Sequence, residues 1–418
     1  MKNILVLGAG FGGLRTAIDI DRGLRKTGLP GYNVILIDQY PYHTFTPLLY
    51  ETASVSDRCF PREKLESLVV YHISNLLSGT SVFFKQARVL RIDLKERKTY
   101  LGSERVPFEY LVLALGAETA YFGIPGLKEN SFSLKTFEDA FSIRSRLGDL
   151  VNKKGDGARI IVGGGGSTGI ELAAEIKMFL KHAKRNDIEV VLLEATPTLL
   201  PGFDEKVARL ANKRLEKLGI RVMVNKSVSS VGFQKATLKD GTTLTFDLFM
   251  WTGGVSASSL TKSLPLKVRK EEKSRIEVVG NLSCVPEDAG AEVTDRIYAI
   301  GDIACIHNQK SKKMVPLVAR AAIEQGKTAA RNIVEQIKTE EAKGSPTKKF
   351  FYTPREYPYV IPVGGKFAIV KIGPFFISGL AGWFLKTLVE LNYFLSIMSF
   401  GKAFGIWMKS LRIFSAND

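Results

Sequence analysis

Cysteine and histidine are sparse in this chain, with three Cys and four His among 418 residues. Cys59, Cys284 and Cys305 form no CxxC pair and no metal-ligand spacing, so no disulfide framework is expected and a reducing compartment fits. His43, His72, His182 and His307 make no HExxH-like pair, and no metal site is expected either. A long apolar run is also missing. The uncharged stretch Ile372 to Leu385 has 14 residues, short of the roughly 20 that a bilayer-crossing helix needs. The formal charge is +17, yet no helix-turn-helix, zinc finger or RNP-like segment accompanies it, and a nucleic-acid partner is not expected. The scattered basic residues serve either attraction to an anionic membrane face or nucleotide, or plain solvation. The N-terminus enters a strand almost at once, which leaves no room for a cleavable signal peptide.

What is present is glycine: 38 residues within a chain that is 45% apolar. That combination suits an α/β protein with tight βα turns, and the length supports two or three domains. Two G-x-G-x-x-G signatures occur. The first, ILVLGAGFGGL, places Gly8, Gly10 and Gly13 between a strand over residues 3–8 and a helix from Leu14 to about Lys26. The strand from Tyr32 ends at Asp38, 30 residues after Gly8. An acid there can accept from both hydroxyls of an adenosine ribose, while the glycines let the helix N-terminus approach a pyrophosphate.

The second signature, RIIVGGGGSTGIELAAE, repeats that logic with Gly164, Gly166 and Gly169. A helix from Ile170 to His182 and a strand IEVVLLE follow, and Glu194 stands 30 residues after Gly164. An acid here favours a free 2'-hydroxyl and hence NAD(H), unless a neighbouring basic residue such as Arg185 folds in to accept the phosphate of NADP(H). Two such motifs in one chain imply two dinucleotides and fit electron transfer from a pyridine nucleotide to a flavin.

Between the signatures, SVFFKQARVLRIDL and RKTYL alternate as an antiparallel excursion. FEYLVLALGAET returns as a buried strand ending near Gly116 and Ala117, and Pro125–Gly126 marks a hinge. Beyond the second module, TFDLFMWTGGV ends in a loop lining its site. RIYAIGD brings Asp302 to a turn before the helical segment VPLVARAAIEQGKTAARNI. The expected division is residues 1–120 and 286–340 for a flavin domain, 121–285 for a nicotinamide domain, and 341–418 for a membrane-association and dimerisation region.

KGSPTKKF reads as a linker to that last region. In the tail, Lys386, Glu390, Lys402, Lys409 and Arg412 interrupt broad apolar faces carrying Trp383, Phe384, Leu388, Leu391, Phe394, Leu395, Met398, Phe404 and Trp407. Such helices can lie in a membrane interface with the lysines snorkelling to water, or serve as a dimerisation or packing domain. A lipid-soluble electron acceptor gives such a platform a purpose.

GAGFGGL, YHTFTPLLYETA, GGGGSTGIELAAE, MWTGGV, AIGD, VPLVARAAIEQG and GWFLKTLVELNYF occur in this order over essentially the full length. In them the chain resembles the type II NADH:quinone oxidoreductases, single-subunit enzymes that do not pump protons. The resemblance implies two Rossmann-like domains of the two-dinucleotide flavoprotein type with an amphipathic membrane-anchoring region. It implies non-covalent FAD, NADH as substrate, a membrane quinone as acceptor, and a homodimer on the cytoplasmic or equivalent membrane face.

Carried over, Gly8, Gly10, Gly13 and Asp38 would bind the adenosine diphosphate part of FAD. Thr46, Pro47, Leu48 and Ala117 would approach the ring, Asp302 the ribityl–phosphate side, and Gln325 and Gly326 the ring's edge. Gly164, Gly166, Gly169 and Glu194 would bind NADH, and Glu171 would belong to the nicotinamide or proton-transfer neighbourhood. The family's AQxAxQQG pattern is altered here, with Arg320 and Glu324 in place of glutamines. Arg320 then favours a quinone carbonyl, alters headgroup choice, or pairs with Glu324 one turn along. Sulfide:quinone oxidoreductase shares the architecture but uses a cysteine pair at the flavin. A third reading is a membrane-bound flavoprotein that senses redox state or recruits a partner.

Overall fold

A computed structural model describes residues 1–55, 60–153, 157–270, 273–288, 294–308, 314–344 and 347–415. Cys59 therefore lies outside the described residues. The chain forms two compact units: Met1–His43, Tyr71–Glu118 and Val255–Tyr357 in one, Thr44–Val70, Thr119–Gly254 and Pro358–Asp418 in the other.

The first unit is built on a five-stranded parallel sheet in the order Ile297–Ala299, Tyr110–Leu113, Lys2–Leu7, Tyr32–Asp38, Phe83–Gln86. Ile4 to Leu7 are fully buried, as expected of a central strand covered on both faces. The Phe11–Thr27 helix ends at Gly28, whose left-handed backbone (φ 62°) returns its N–H to Leu24 and Arg25 carbonyls. Phe83–Gln86 corrects the expected antiparallel excursion, because it pairs parallel with Tyr32–Asp38. Only Arg91–Asp93, Lys98–Leu101 and Glu104–Pro107 are antiparallel. Alternation reports which face a residue takes, not the direction of its partner strand.

The second unit carries a four-stranded parallel sheet in the order Arg221–Met223, Glu189–Leu193, Arg159–Gly163, Leu248–Trp251. The Phe137–Asn152 helix opens on a capping box formed by Thr136 and Asp139. Beside the sheet, Val228–Gly232, Lys235–Leu238 and Thr243–Thr245 form an antiparallel layer.

Two expected boundaries move. The middle stretch of the second unit ends at Gly254, and residues 255–285, expected with it, lie in the first unit, where Leu264, Leu266, Ile276 and Cys284 pack into one core with Leu5, Leu111 and Ile297. The Pro125–Gly126 hinge is instead a fixed turn inside the second unit. Val231 N–H donates to the Pro125 carbonyl at 2.9 Å and the Asn130 amide to that of Gly126 at 2.8 Å.

The tail is not an independent domain. It adds the antiparallel strands Tyr359–Pro362, Ala368–Ile372 and Phe375–Gly379 to the second unit, then the helices Leu380–Ile397 and Phe400–Ser415. The apolar run from Ile372 is thus divided between strand and helix, with Gly379 (φ 82°) at the junction. No helix among the described residues is long and apolar enough to cross a membrane.

Lys386 and Glu390 also differ from expectation. They face inward, while Leu380, Phe384 and Val389 face outward. Buried carboxylates neutralise the lysine there, so it does not snorkel to water. Phe394, expected on an open apolar face, is fully buried against Phe45.

Candidate active site

In the first module each glycine of the signature has a separate task. A Cβ on Gly8 would stand 2.3 Å from the Ala114 carbonyl oxygen, and one on Gly13 1.9 Å from that of Gly8. A Cβ on Gly10 would meet nothing within 4 Å. That space lies at the start of a helix with no side-chain cap and no acid in its first turn, leaving amides for a phosphate. Asp38 Oδ2 accepts from Ala9 N–H at 2.7 Å and Oδ1 from Tyr40 N–H at 2.9 Å. Burial raises the Asp38 carboxyl's pKa against these bonds.

The turn is also held from behind. His43 Nδ1 lies 2.9 Å from the Ala9 carbonyl oxygen, which can only accept. Burial lowers this imidazole to about 4, so it is neutral at physiological pH, and Phe11 packs edge-on at 5.0 Å. Sequence reading assigned His43 no role.

The second module has the same geometry with different side chains. Glu194 Oε2 accepts from Gly165 N–H at 2.6 Å, and Oε1 from Thr196 N–H at 2.7 Å. A Cβ on Gly169 would stand 1.8 Å from the Gly164 carbonyl oxygen, and one on Gly166 meets nothing within 4 Å. Gly163 and Gly165 have reasons of their own. The Trp251 indole lies where a Gly163 side chain would be, at 2.6 Å, and Glu194 Cβ stands 2.9 Å from a Cβ on Gly165. Arg185 is committed elsewhere, to the Leu150, Val151 and Lys153 carbonyls and to Asp187.

Asp302 and Gln325 come together in the first unit. The buried Gln325 Oε1 accepts from Gly301 N–H at 2.7 Å, fixing the left-handed turn (φ 72°) that presents Asp302. The cleft there is lined by Gly301, Asp302, Val318, Ala321 and Gln325 at the uncapped start of the Ala319–Glu341 helix. Arg320 Nε pairs with Glu324 Oε1 at 3.0 Å, the structural pairing that was among the roles open to it from sequence. Gly326 lies in the helix–helix contact, where an added Cβ would meet Thr16 Oγ1 at 2.6 Å and the Gly12 carbonyl at 2.7 Å. Close helix packing requires a glycine there. Ala117 begins the short strand Ala117–Thr119.

Thr46, Pro47 and Leu48 form a 3-10 turn in the second unit, just ahead of the Leu49–Ser54 helix. Below it lies a buried ionisable cluster. Lys386 Nζ is paired with Glu51, and with Glu390 at 3.1 Å, while the Tyr50 hydroxyl donates to Glu51 at 3.0 Å. One cation serves three carboxyls, because Glu171 feels both Lys386 and Glu51. Burial raises Glu171 to about 8, with Lys386 opposing and Glu51 adding to the shift. Burial likewise pushes Glu390 upward. Glu171 therefore keeps its proton at neutral pH. Of these groups only Glu171 was given a site role from sequence; Lys386 and Glu390 were read as charges on an amphipathic tail. YHTFTPLLYETA and the tail contained the rest, but nothing in either stretch says that they meet.

The profile of pyridine nucleotide-disulphide oxidoreductases matches residues 2–326. The chain belongs to this family. Within the pyridine nucleotide-disulphide oxidoreductases, a type II NADH:quinone oxidoreductase of Mycobacterium tuberculosis is 27% identical over 420 residues, spanning 93% of this chain and 84% of the relative. The demethylphylloquinone reductase of Synechocystis is 29% identical over 342 residues, spanning 79% and 78%. The solved NDH2 of Plasmodium falciparum in complex with NADH superposes with a TM-score of 0.81 over 98% of both chains, at 18% identity. The sulfide:quinone oxidoreductase of Aquifex aeolicus reaches 0.75 over 94% of this chain and 91% of that one, at 21% identity. At such identities the solved structures speak to fold alone. The curated relatives agree with the type II resemblance read from the motifs.

Proposed function

We propose that this chain uses FAD to oxidise NADH and reduce a membrane quinone by two electrons, without pumping protons. One observation carries the reading: two complete dinucleotide modules in one chain, each with its own acid tied back to its own glycine turn. The near full-length relatives named as NADH:quinone oxidoreductases support it. Per turnover, NADH gives up a hydride and the quinone gains that electron pair with two protons, one of them taken from solution. Bound FAD would supply the two-electron relay between donor and acceptor.

The first module fits FAD, because Gly10 leaves open space at free helix amides and Asp38 keeps lone pairs for ribose hydroxyls. We assign Gly8, Gly10, Gly13 and Asp38 to its adenosine diphosphate part, and Asp302, with Gln325 behind it, to the ribityl–phosphate side. Thr46, Pro47, Leu48 and Ala117 are assigned to the ring by resemblance. Gly164, Gly166, Gly169 and Glu194 hold NADH. The engagement of Arg185 with carbonyls favours NADH over NADPH. Glu171, still protonated near neutral pH, is the proton donor on the acceptor side.

The two C-terminal helices rest on a membrane surface. Leu380 is 64% exposed, Phe384 52% and Phe400 71%, whereas Lys386 is 8% exposed. On the first helix apolar residues face outward and Lys386 and Glu390 inward, an arrangement that suits lipid rather than water, while Lys402, Lys409 and Arg412 on the second are exposed and can meet anionic headgroups. A homodimer and a cytoplasmic membrane face complete the reading, both on resemblance.

Sulfide oxidation fits less well. Cys284 is packed in the apolar core of the first unit, and burial pushes its thiol away from the reactive thiolate. The deciding experiment is anaerobic flavin reduction by NADH followed by reoxidation with a short-chain quinone, with sulfide as the competing donor. Fast reduction by NADH and repeated reoxidation are expected. Reduction by sulfide alone would overturn the proposal, and NADH-dependent partner binding without turnover would favour the redox-sensing alternative.

A further inference from the structure

A trans peptide unit carries its carbonyl oxygen and the following N–H on opposite edges of one plane. Holding the oxygen therefore aims the N–H. In the first module the unit that joins Ala9 to Gly10 is held in this way. His43 Nδ1 lies 2.9 Å from the Ala9 oxygen, and because a carbonyl can only accept, Nδ1 carries the proton. The imidazole is 1% exposed and packs edge-on with Phe11. The preceding unit, Gly8 to Ala9, is held separately through its N–H by Asp38. Asp38 thus sets one peptide of the turn and His43 the next. The N–H that His43 aims belongs to Gly10, the N-cap residue of the Phe11–Thr27 helix, where a side chain would meet nothing within 4 Å.

The second module meets the same need by another route. Gly165 and Gly166 stand where Ala9 and Gly10 do, and the N-cap backbones agree, with φ −73° and ψ −177° at Gly166 against φ −70° and ψ −170° at Gly10. Here the Gly165 oxygen accepts from the Leu200 N–H at 2.9 Å. Leu200 is buried in a left-handed backbone, φ 54°, which a leucine adopts only at a cost. A side chain in one module and a strained main chain in the other hold the equivalent carbonyl. Satisfying a buried carbonyl takes any donor, water included. A rigid donor at the same atom of both turns is what aiming the amide requires.

We propose that His43 is a positioning residue for FAD, fixing the Ala9–Gly10 peptide so that the Gly10 N–H is already presented to the pyrophosphate. The inference rests on the FAD reading above. A donor on the carbonyl also polarises the N–H of the same peptide, so the imidazole strengthens that amide as well as orienting it.

The test uses the full-length protein and its His43→Asn, His43→Gln and His43→Leu variants. An asparagine amide nitrogen takes the place of Nδ1 and a glutamine one that of Nε2, so only His43→Asn keeps the donor at the Ala9 oxygen. FAD affinity of the apoprotein, phosphorus NMR resonances of the bound pyrophosphate, and melting temperature are measured. His43→Leu and His43→Gln are expected to weaken FAD binding roughly ten-fold, the size of one buried hydrogen bond, and to displace the phosphorus signals. His43→Asn should stay within about two-fold of the wild type, since it keeps that bond, with the signals in place. Unchanged FAD affinity and phosphorus signals in His43→Leu would overturn the proposal. So would losses that follow melting temperature alone, with His43→Asn no better than His43→Gln. A wild-type protein that retains no FAD would instead sink the FAD reading, and this inference with it.

Discussion

The two dinucleotide modules solve one geometric problem with different side chains. In the first, Asp38 reaches back to the N–H of Ala9; in the second, Glu194 reaches back to the N–H of Gly165. The longer acid is matched by the smaller turn residue, because a Cβ on Gly165 would stand 3.0 Å from Glu194 Oε2. The strands before the turns differ in the same way. Leu7 lies beside Leu113 in the first sheet, and Gly163 beside Trp251 in the second. One large and one empty position replace two medium ones, in keeping with a core whose total volume is constrained more tightly than its individual residues. Acid and turn residue are thus one unit of recognition, and neither is interchangeable alone.

The largest effects belong to the third glycines. Gly13→Ala or Gly169→Ala drives a Cβ against a backbone carbonyl at 1.9 or 1.8 Å, and no rotamer relieves that. Gly13→Ala is expected to give protein without FAD. Gly169→Ala should keep FAD yet lose reduction by NADH, with flavin absorbance and stopped-flow reduction as the readouts. Equal loss of both functions in both variants would end the idea of separable modules.

Next in size is the core swap. Trp251→Leu alone should destabilise by roughly 2–4 kcal/mol through the cavity it leaves and the lost bond from its indole to the Ala120 carbonyl. Gly163→Leu with Trp251→Leu, imitating the first module, should recover part of the melting temperature. No recovery would mean that the two strand pairs are not equivalent in packing.

The acid–turn pairing predicts a smaller, reciprocal result. Gly165→Ala should weaken NADH binding about ten-fold, the value of roughly one misplaced charged hydrogen bond. Adding Glu194→Asp, which recreates the Ala9–Asp38 combination and removes the contact with Oε2 but not those with Leu199 Cδ2 and the acid's Cβ, should restore part of it in NAD+ titrations. A double variant worse than either single one would refute the matching rule.

The smallest effect is in pH dependence, where the units carry opposite slopes. Neutral His43, lowered to about 4, makes stability rise as pH rises from about 4 to the ordinary imidazole range, since only the unfolded state is protonated there. Glu171, raised to about 8, does the reverse. It keeps its proton when folded and loses it when unfolded, so stability falls from the ordinary carboxyl range up to about pH 8. His43→Asn should flatten the acid limb of a melting-temperature profile and Glu171→Gln the neutral-to-alkaline limb. An unchanged alkaline limb in Glu171→Gln would show that Glu171 titrates normally.

Much of the parallel-sheet architecture was readable because its signals are local. Apolar runs, glycine turns and the spacing to Asp38 and Glu194 all lie within one strand–helix–strand stretch. What lay across the chain was not readable. The Phe83–Gln86 strand joined the parallel sheet, the linker after the Ala319–Glu341 helix docked through Asn332, and the module boundary moved to residue 254. Lys386 is the clearest case. Its sequence neighbours mark it as a lysine on an amphipathic helix, but Glu51, 335 residues away, turns it inward.

The sequence alone determined that this chain folds two glycine turns of the dinucleotide-binding type, each with its own acid 30 residues on, because those requirements are met by the stereochemistry of single turns. Only the tertiary structure decided which ionisable groups are buried together, why Gly163 and Gly165 are bare, and that Tyr352 and Tyr357 are joined to Glu324. Those properties depend on distances between residues far apart in the chain, and burial changes a proton's free energy only after such residues have been brought together.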